Sequence, residues 1–319
     1  MIKRIGILTS GGDSPGMNSA IRAVTRVALK KGIEVYGIKD GYKGLVEKKF
    51  EKFEKRSVSE IMSRGGTILG SARFPEFKNE DVVSKAIENL KEEGIDALIA
   101  IGGDGTYRGA LSLSKHGVNC IALPGTIDND IQGTDLTIGF DTALNTIVDC
   151  VDKLRDTSSS HHRCSVVEVM GNRCGDLALY SGISCGAEVV ISSDTGYDES
   201  AVLDKLQYLD KQGKNHAIII VSEKITDVNE LAKKISSNTS FDGRATVLGY
   251  IQRGGVPTPT DRVLASRMGE KAVELLINNV GGHCVCVNND EINSLPIEDV
   301  LNMPRENKKS LYHLFDNLV

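Results

Sequence analysis

The sequence predicts an α/β protein of two similar doubly wound lobes, each with a mainly parallel β-sheet. Short apolar runs alternate with glycine-containing turns and segments of helical period, which is the pattern of parallel strands covered by helices. The 319 residues, 40% of them hydrophobic, are enough to form two cores rather than one. No low-complexity or linker-like tract separates the lobes.

The apolar runs predict strands over residues 5–8, 34–38, 97–101, 119–123, 164–169, 216–221 and 245–248. Helices are expected after the first glycine turn as far as Gly32, from Asp81 to Gly94, and from Asp141 onward, because apolar residues recur there at helical spacing. The tail after about residue 255 is expected to be rich in helix. We predict a first lobe of residues 1–138 and about 255–319, and a second lobe of residues 139–254.

Charge and cysteine usage exclude several classes of protein. The net charge is −5, and the 38 Lys and Arg are scattered among 43 Asp and Glu, which argues against a nucleic-acid or membrane-surface partner. Seven cysteines without a CxxC pair indicate free thiols rather than disulfides or a zinc site. With no apolar signal segment or membrane span, a cytoplasmic location is expected.

The segment ALIAIGGDGTYRGA, residues 97–110, places Gly102, Gly103, Asp104 and Gly105 directly after a buried strand. Glycines let backbone amides approach phosphate oxygens, and a carboxylate beside phosphate is explained by a bridging Mg²⁺ ion held by Asp104. The alternative is a tight turn with Asp104 as a helix N-cap. A second glycine turn, TSGGDSPGMN, also ends a predicted strand, and neither turn matches Walker A or GxGxxG.

The segment LPGTIDNDIQGTD, residues 123–135, clusters Thr126, Asp128 and Asp130 after another predicted strand. In an extended loop alternate residues share a side, so both carboxylates are expected to face one pocket. One would accept a proton from a substrate hydroxyl while the other orients a metal or a partner. An Asx turn at Asp128 is the simpler alternative.

Three arginines in the second half are predicted near strand ends: Arg163, Arg244 and Arg253. Their planar guanidinium groups match the geometry of a sugar phosphate. Surface solvation explains any one of them alone. The adjacent His161 and His162 are interpreted as structural, because no other ligand is spaced to join them in a metal site.

The motifs TSGGDSPGMN, RGGTILGSAR, IGGDGT, PGTIDND, SVVEVMGN, SEK and YIQRGG follow one another along the chain. Their order and spacing resemble those of bacterial ATP-dependent 6-phosphofructokinases over essentially the whole length. The resemblance implies a homotetrameric enzyme of glycolysis that transfers the ATP γ-phosphoryl group to the C1 hydroxyl of fructose 6-phosphate. It also implies that some arginines of the sugar-phosphate site reach across from the neighbouring subunit.

The same resemblance implies roles for individual residues. The ATP site would comprise Gly12, Arg73, Phe74, Gly103, Asp104, Gly105 and Thr106, with Mg²⁺ on Asp104. The catalytic group would be Asp128 as proton acceptor, with Thr126, Arg73 and Asp130. Besides Thr126 and Asp128, the sugar phosphate would contact Ile127, Arg163, Met170, Gly171, Asn172, Glu223, Arg244, Tyr250 and Arg253.

This sequence departs from the family pattern in three places. Tyr250 stands where the family usually has a histidine and Asn172 where it usually has an arginine, which puts the affinity for sugar phosphate in doubt. The resemblance also implies an effector site for ADP or phosphoenolpyruvate at Arg22, Arg26, Lys55, Arg155, Glu188, Gln212 and Lys214. Gln212 replaces a cation there, so allostery is expected to be present but weakened.

Three alternative functions are open at this point. Pyrophosphate-dependent relatives carry an acidic residue at position 105 and a lysine at position 125, where this chain has Gly105 and Gly125. Lipid and NAD kinases share GGDG but lack PGTIDND. A non-catalytic nucleotide-sensing subunit is disfavoured by the presence of Asp104, Thr126 and Asp128.

Overall fold

The structure is a computed structural model that describes residues 2–305 and 308–319. The strands are β1 (Arg4–Ser10), β2 (Glu34–Ile38), β3 (Phe50–Phe53), β4 (Ala97–Gly102), β5 (Asn119–Pro124), β6 (Arg163–Val169), β7 (Val189–Ile191), β8 (Ala217–Ser222), β9 (Asp242–Val247), β10 (His283–Asn288) and β11 (Glu291–Pro296). The helices are α1 (Met17–Lys30), α2 (Gly41–Val46), α3 (Glu80–Glu93), α4 (Asp104–Lys115), α5 (Phe140–His161), α6 (Asp176–Cys185), α7 (Glu199–Lys211), α8 (Val228–Asn238), α9 (Pro259–Ile277), α10 (Ile297–Asn302) and α11 (Lys309–Leu318). Two 3₁₀ helices cover Pro75–Lys78 and Gly249–Arg253.

The described residues divide into two compact units. Unit 1 contains the chain as far as Thr142 together with Arg253–Arg305, and unit 2 contains Ala143–Gln252 together with α11. The sequence places the whole tail in the first lobe, but α11 belongs to unit 2. There the hydroxyl of Tyr312 on α11 makes hydrogen bonds with the side chains of Ser192 and Asp194.

Unit 1 is built on a seven-stranded sheet of order β11-β10-β5-β4-β1-β2-β3. Its inner strands are parallel, whereas β3 and β11 at the two edges run antiparallel to their neighbours. The chain proceeds from β1 to β2 towards one edge and from β4 to β5 towards the other. The boundary between β1 and β4 is therefore a topological switch point, where sheets of this kind bind ligands at the carboxyl ends of their strands.

Two apolar clusters cover the two faces of this sheet. Ile7 and Ile99 pack into one cluster, and Leu8 and Leu98 pack into the other. Successive side chains of a strand point to opposite faces, so a strand that is covered on both sides must be apolar at every position. This requirement explains the continuous apolar runs from which β1 and β4 are predicted.

Unit 2 contains a four-stranded parallel sheet of order β7-β8-β6-β9. Val166, Ile219 and Phe241 belong to the core on one of its faces. The ring of His162 stacks on Phe241 with the centroids 4.9 Å apart, which is a packing role. Strand β9 lies at the edge of the sheet, so one side of its backbone has no neighbouring strand in this sheet.

All seven predicted strands are present, and four of their starts differ from the prediction. β1 and β6 each begin one residue earlier, at Arg4 and Arg163. β8 begins at Ala217 rather than His216, and β9 begins at Asp242, so Arg244 lies inside the strand instead of before it. Strands β3, β7, β10 and β11 go beyond the prediction. β3 and β11 are edge strands with charged or polar residues and β7 has three residues, so none of them gives a long apolar run. The tail is rich in helix as predicted, in α9, α10 and α11, and it also contains the β10–β11 hairpin.

The seven cysteines are all free, and six of them are buried. Burial raises the pKa of Cys120 to about 12 and that of Cys185 to about 11. These two thiols therefore stay protonated at neutral pH, which makes them poor nucleophiles. Across the described ranges, no helix is both long enough and apolar enough to cross a membrane.

Candidate active site

Three loops leave the carboxyl ends of β1, β4 and β5 side by side in unit 1. The last residues of these strands, Ser10, Gly102 and Pro124, are in register as neighbours. The loops that follow them read GGDSPG, GDGT and GTIDND. The Gly125 nitrogen donates to the Gly102 carbonyl at 3.0 Å, and a Cβ on Gly103 would lie 3.9 Å from Cβ of Thr126, so the second and third loops lie side by side. The switch point thus joins the loops in which phosphate-binding and proton-accepting residues are predicted.

The first loop lies against the guanidinium group of Arg253. A Cβ on Gly12 would be 3.2 Å from Nη1 of Arg253 and 3.4 Å from its Cζ, so only glycine leaves this contact undisturbed. The preceding Gly11 has φ of 86°, and its carbonyl oxygen accepts a hydrogen bond from the hydroxyl of Ser71. The structure therefore places Gly12, predicted for ATP, beside Arg253, predicted for the sugar phosphate.

The second loop opens helix α4. Gly103 is the N-cap residue and Asp104 is the first helical residue, so the alternative in which Asp104 caps the helix is wrong. Asp104 instead pairs with Arg108 one turn later, with Nε 2.9 Å from Oδ2 and Nη2 3.2 Å from Oδ1. The i,i+4 spacing is a sequence signal for this pair. Thr106 holds the loop to β1, because its Oγ1 donates to the carbonyl of Ser10 at 3.0 Å.

Three aromatic side chains, those of Tyr42, Phe77 and Phe74, pack in a row beside the second loop. The hydroxyl of Tyr42 donates to the backbone carbonyl of Thr106 at 2.6 Å. The Tyr42 ring stacks on Phe77 with centroids 4.2 Å apart, and Phe77 lies 6.4 Å from the ring of Phe74. Arg73, next to Phe74, is exposed. The sequence predicts Arg73 and Phe74 as residues of the ATP site. It does not predict Tyr42 or Phe77, because in the sequence they resemble ordinary core residues.

The third loop is folded back on itself rather than extended. Oγ1 of Thr126 accepts a hydrogen bond from the backbone nitrogen of Asp128 at 3.1 Å, and Thr137 donates its hydroxyl to the Thr126 carbonyl at 2.7 Å. Asn129 has φ of 53°, and its Oδ1 accepts a bond from the Thr137 nitrogen at 2.9 Å. The expectation of an extended loop is therefore wrong, because the left-handed Asn129 turns the chain between the two carboxylates. Buried groups in this loop include the Oδ1 atoms of Asp128 and Asp130 and the side chains of Ile127 and Asn129.

Asp261 fixes the end of this loop where helix α5 begins. Its carboxylate accepts hydrogen bonds from the Gly139 nitrogen at 2.7 Å, the Thr142 nitrogen at 2.8 Å and the Thr142 hydroxyl at 2.6 Å. Burial raises the pKa of Asp261 to about 6, although these hydrogen bonds act to lower it. Asp261 thus supplies the capping acceptor that the start of α5 requires. No sequence motif reveals this role, because the residue lies more than a hundred positions away.

In unit 2, one group of predicted residues lies at the carboxyl ends of β6 and β8. Met170, Gly171 and Asn172 follow β6, and Glu223 follows β8. The Asn172 nitrogen donates to Oε1 of Glu223 at 2.9 Å, and Nζ of Lys224 donates to Oδ1 of Asn172 at 3.0 Å. These two hydrogen bonds join the loop after β6 to the residues after β8 at the carboxyl ends of the strands.

A second group lies at the opposite end of the same sheet. Arg163 is the first residue of β6, and its Nε is 3.2 Å from Oδ2 of Asp242. Arg244 binds the same oxygen from β9, with Nε and Nη2 both 2.9 Å away. Burial acts to raise the pKa of Asp242, but the hydrogen bonds from Arg244 and Arg163 hold it below its usual value. One carboxylate thus holds two predicted arginines together.

Tyr250, on the 3₁₀ helix that follows β9, is 77% exposed.

The predicted effector residues of unit 1 lie on α1 and beyond β3. Arg22 and Arg26 are one turn apart on α1 and partly buried. Nη2 of Arg26 is 3.5 Å from the hydroxyl of Ser59, and Lys55 is exposed. The spacing of the two arginines gives the joint cationic face that the sequence predicts.

The predicted effector residues of unit 2 include a buried carboxylate. Glu188 is buried and forms an ion pair with Lys214. Nη1 of Arg155 lies 3.3 Å from Nε2 of His216. Gln212 is the exposed C-cap residue of α7. Because Glu188 neutralises Lys214, the positive charge of this group comes chiefly from Arg155.

The sequence matches a known protein family and several named bacterial proteins. Residues 4–276 match the protein family described as Phosphofructokinase. The chain is 57% identical over 319 residues, all of both chains, to proteins named ATP-dependent 6-phosphofructokinase from Aliivibrio fischeri and Photobacterium profundum. The chain belongs to the phosphofructokinase family. The family assignment and the enzyme class predicted from the sequence, a phosphotransferase, are confirmed.

Solved phosphofructokinases also share the fold. A structure of phosphofructokinase from Saccharomyces cerevisiae matches with a TM-score of 0.88 and 33% identity, over 99% of this chain and 47% of the yeast chain. The T-state enzyme of Pichia pastoris matches with a TM-score of 0.90 and 32% identity, over 100% of this chain and 37% of that one. These matches confirm the α/β fold class. The roles of the individual site residues stay predictions.

Proposed function

We propose that the protein transfers the γ-phosphoryl group of ATP to the C1 hydroxyl of fructose 6-phosphate in glycolysis, giving fructose 1,6-bisphosphate and ADP. One observation carries this proposal: the GDGT and GTIDND loops lie side by side at the β1–β4 switch point, where the Gly125 nitrogen donates to the Gly102 carbonyl. Phosphoryl transfer depends on positioning and charge neutralisation, so a phosphate-binding loop must adjoin the group that accepts the hydroxyl proton. The full-length relatives named ATP-dependent 6-phosphofructokinase support the same reaction.

The start of α4 is suited to bind the phosphates. The amide of Gly105 lies in its first turn, where the helix dipole favours anions. Mg²⁺ fits here because it is commonly held by one carboxylate and by substrate phosphates, with water completing the shell; Asp104 is that carboxylate. When bound, the ion would neutralise charge on the phosphates. Arg108 shares Asp104 in the structure, so a metal ligand role requires this exposed ion pair to open.

Asp128 would accept the proton of the C1 hydroxyl as the new O–P bond forms and ADP departs. The Thr126 hydroxyl accepts from the Asp128 nitrogen and so fixes the backbone that carries the base. Arg73 would stabilise charge on the transferred group, because a guanidinium binds phosphate oxygens at two points. No covalent intermediate on the enzyme is required.

Two glycines favour ATP over pyrophosphate as donor. A Cβ at Gly125 would lie 2.9 Å from Cγ2 of Ile101 and 3.0 Å from Cε of Met17, so a lysine does not fit there without displacement. Gly105 has open space around its Cβ position, and an acidic side chain there would occupy that space. Both positions therefore support a nucleotide donor.

The arrangement of unit 2 supports a homo-oligomer, which we propose to be a tetramer. Arg163 and Arg244 meet at Asp242, whereas Met170 and Glu223 lie beyond the other end of the strands. Six residue steps of about 3.3 Å separate the ends of β6, a total of about 20 Å, which is longer than a hexose phosphate. Each group would then serve a different substrate molecule, with the arginines acting on a neighbouring copy. Val247 on the edge strand β9 is 55% exposed, which fits an edge covered by such a copy.

We also propose that ADP and phosphoenolpyruvate bind weakly at the effector residues, and that the enzyme is cytoplasmic. Gln212 offers a neutral amide where relatives place a cation, and Lys214 already pairs with Glu188. The cationic charge available to a phosphate is therefore lower than the pattern of the family implies.

A coupled assay for fructose 1,6-bisphosphate tests the proposed reaction directly. The purified protein is incubated with fructose 6-phosphate, Mg²⁺ and either ATP or pyrophosphate. We expect turnover with ATP and negligible turnover with pyrophosphate. Equal rates with both donors would contradict the glycine argument, and no turnover with either would support a nucleotide-sensing subunit instead.

A further inference from the structure

Gln252 lies between two segments of unit 2 that carry proposed substrate residues. It is 0% exposed, although it belongs to the same short 3₁₀ helix as the exposed Tyr250. Its Oε1 accepts a hydrogen bond from the Met170 nitrogen at 3.0 Å, and its Nε2 donates to the carbonyl oxygen of Gly249 at 2.9 Å. A buried amide with both ends bonded fixes the spacing of the groups that it joins. Gln252 thus ties the loop after β6 to the helix that carries Tyr250.

The loop after β6 has a backbone that needs such support. Gly171 has φ of 138° and the adjacent Asn172 has φ of 56°. A Cβ on Gly171 would lie 2.5 Å from the carbonyl oxygen of Cys174, so the chain is tightly folded here. The loop is held by Gln252 at Met170 and by Glu223 at Asn172. Loss of either bond frees one end of a conformation that is rare for a residue with a side chain.

We propose that Gln252 is a positioning residue for fructose 6-phosphate. It does not contact the sugar phosphate; it sets the distance between the Met170 loop and the helix bearing Tyr250. This inference rests on the substrate residues proposed above for unit 2. Glutamine suits the position because the site requires one acceptor and one donor, which an apolar side chain lacks and an ionised carboxylate supplies only in part.

Two substitutions separate the two hydrogen bonds. Gln252→Leu removes both, and Gln252→Glu retains both only while the carboxyl is protonated, because an ionised carboxylate cannot donate to the Gly249 carbonyl. Burial raises the pKa of a carboxyl, so the glutamate variant is expected to be protonated near about pH 6. The charged groups nearest in sequence or strand pairing, Glu168, Glu223, Lys224 and Arg253, are the same in every variant, so the unmodified enzyme gives the reference pH profile.

The measurement is the KM for fructose 6-phosphate and for ATP between about pH 6 and about pH 8.5. We expect Gln252→Leu to raise the KM for fructose 6-phosphate about tenfold at every pH, since small displacements of binding groups are costly, and to leave the KM for ATP within about twofold. Gln252→Glu should approach the unmodified enzyme at low pH. At high pH its KM for fructose 6-phosphate should lie between those of the unmodified enzyme and Gln252→Leu, because the ionised carboxylate still accepts from the Met170 nitrogen but no longer donates to the Gly249 carbonyl. Gln207→Glu is the matched control, because Gln207 makes an exposed bond to the Asn238 carbonyl in the same unit; its KM values should not change.

Three results would overturn the proposal: an unchanged KM for fructose 6-phosphate in Gln252→Leu, an equal rise in both KM values, or a glutamate variant no better than the leucine variant at low pH. Thermal unfolding of each variant ensures that the kinetics are compared where all are folded. Arg244→Ala, measured in parallel, distinguishes the two levels of the argument. If it leaves the KM for fructose 6-phosphate unchanged, the substrate residues proposed for unit 2 are wrong. If it raises this KM while Gln252→Leu does not, only the role of Gln252 is wrong.

Discussion

Unit 1 gathers the loops with its predicted phosphate-binding and proton-accepting residues at the carboxyl ends of β1, β4 and β5, whereas unit 2 divides its predicted substrate residues between the two ends of β6. In unit 1 the last residues of β1, β4 and β5 are neighbours in register, so the loops that follow must be close. In unit 2 Arg163 begins β6, while Met170 follows its end. The strands of both sheets that carry these residues are parallel, so strand direction does not explain the difference.

The difference indicates which parts of the reaction one chain supplies by itself. The proposed phosphate-binding and proton-accepting loops of unit 1 need only the fold of their own sheet. The arginines of unit 2 are held together by Asp242 at the far end of the sheet, away from the Met170 loop. One chain would therefore supply all the groups that carry out phosphoryl transfer, and a neighbouring copy would supply part of the binding affinity for the substrate.

The largest effect is expected at the proposed base in unit 1. Asp128→Ala should lower kcat by about 10² to 10⁴-fold, the usual contribution of a general base, with a much smaller change in either KM. Asp128→Asn is the matched control for size and should be nearly as slow. Steady-state kinetics with ATP and fructose 6-phosphate provide the measurement, and a kcat for Asp128→Ala close to that of the unmodified enzyme would remove Asp128 from this role.

A smaller effect is expected on the stability of unit 1 through Asp261. Its pKa is raised from 3.8 to about 6 by burial, so the folded protein holds a proton there that the unfolded chain has already released. Between about pH 4 and about pH 6 this residue therefore makes the protein less stable as the pH rises, by about 3 kcal/mol in total. Below and above that window its contribution is constant.

The free energy of unfolding of the unmodified protein and of Asp261→Asn, measured by denaturant titration across this pH range, isolates the effect. The difference between the two proteins should shift in favour of the unmodified one as the pH falls from about 6 to about 4. A difference that is constant with pH would show that Asp261 has an ordinary pKa in the folded state.

The smallest effect is expected at the proposed effector residues. A charge-assisted bond to phosphate contributes about twice as much as a neutral one, so Gln212→Arg should tighten effector binding about tenfold. Fructose 6-phosphate titrations with and without millimolar phosphoenolpyruvate or ADP measure the response. Gln207→Arg on the same helix α7 adds an equal charge elsewhere and should leave the response unchanged. A strong response in the unmodified enzyme that Gln212→Arg does not increase would contradict the prediction.

The sequence predicts the loops of the proposed catalytic site in unit 1 better than the rest of the molecule. Glycines and carboxylates directly after buried strands follow a rule of parallel sheets, so the GDGT and GTIDND loops could be located without a structure. Three other features could not be predicted from the sequence. The turn at Asn129 depends on its bond to Thr137, and the role of Asp261 depends on a contact across 119 positions. The binding of Arg163 and Arg244 to the same oxygen of Asp242 depends on the register of β6 and β9. Each is set by tertiary contacts, which local patterns do not contain.

Mixing two impaired variants, at a fructose 6-phosphate concentration too low for Arg163→Ala to turn over, tests most directly whether the units divide the reaction in this way. Asp128→Ala lacks the base but retains Arg163, whereas Arg163→Ala lacks the arginine but retains the base. If Arg163 serves a neighbouring copy, subunit exchange creates sites with both residues intact. We expect activity to appear in the mixture and to exceed the sum of the two separate proteins. No recovery, in mixtures shown by native mass spectrometry to have exchanged subunits, would contradict this account and place Arg163 in the site of its own chain.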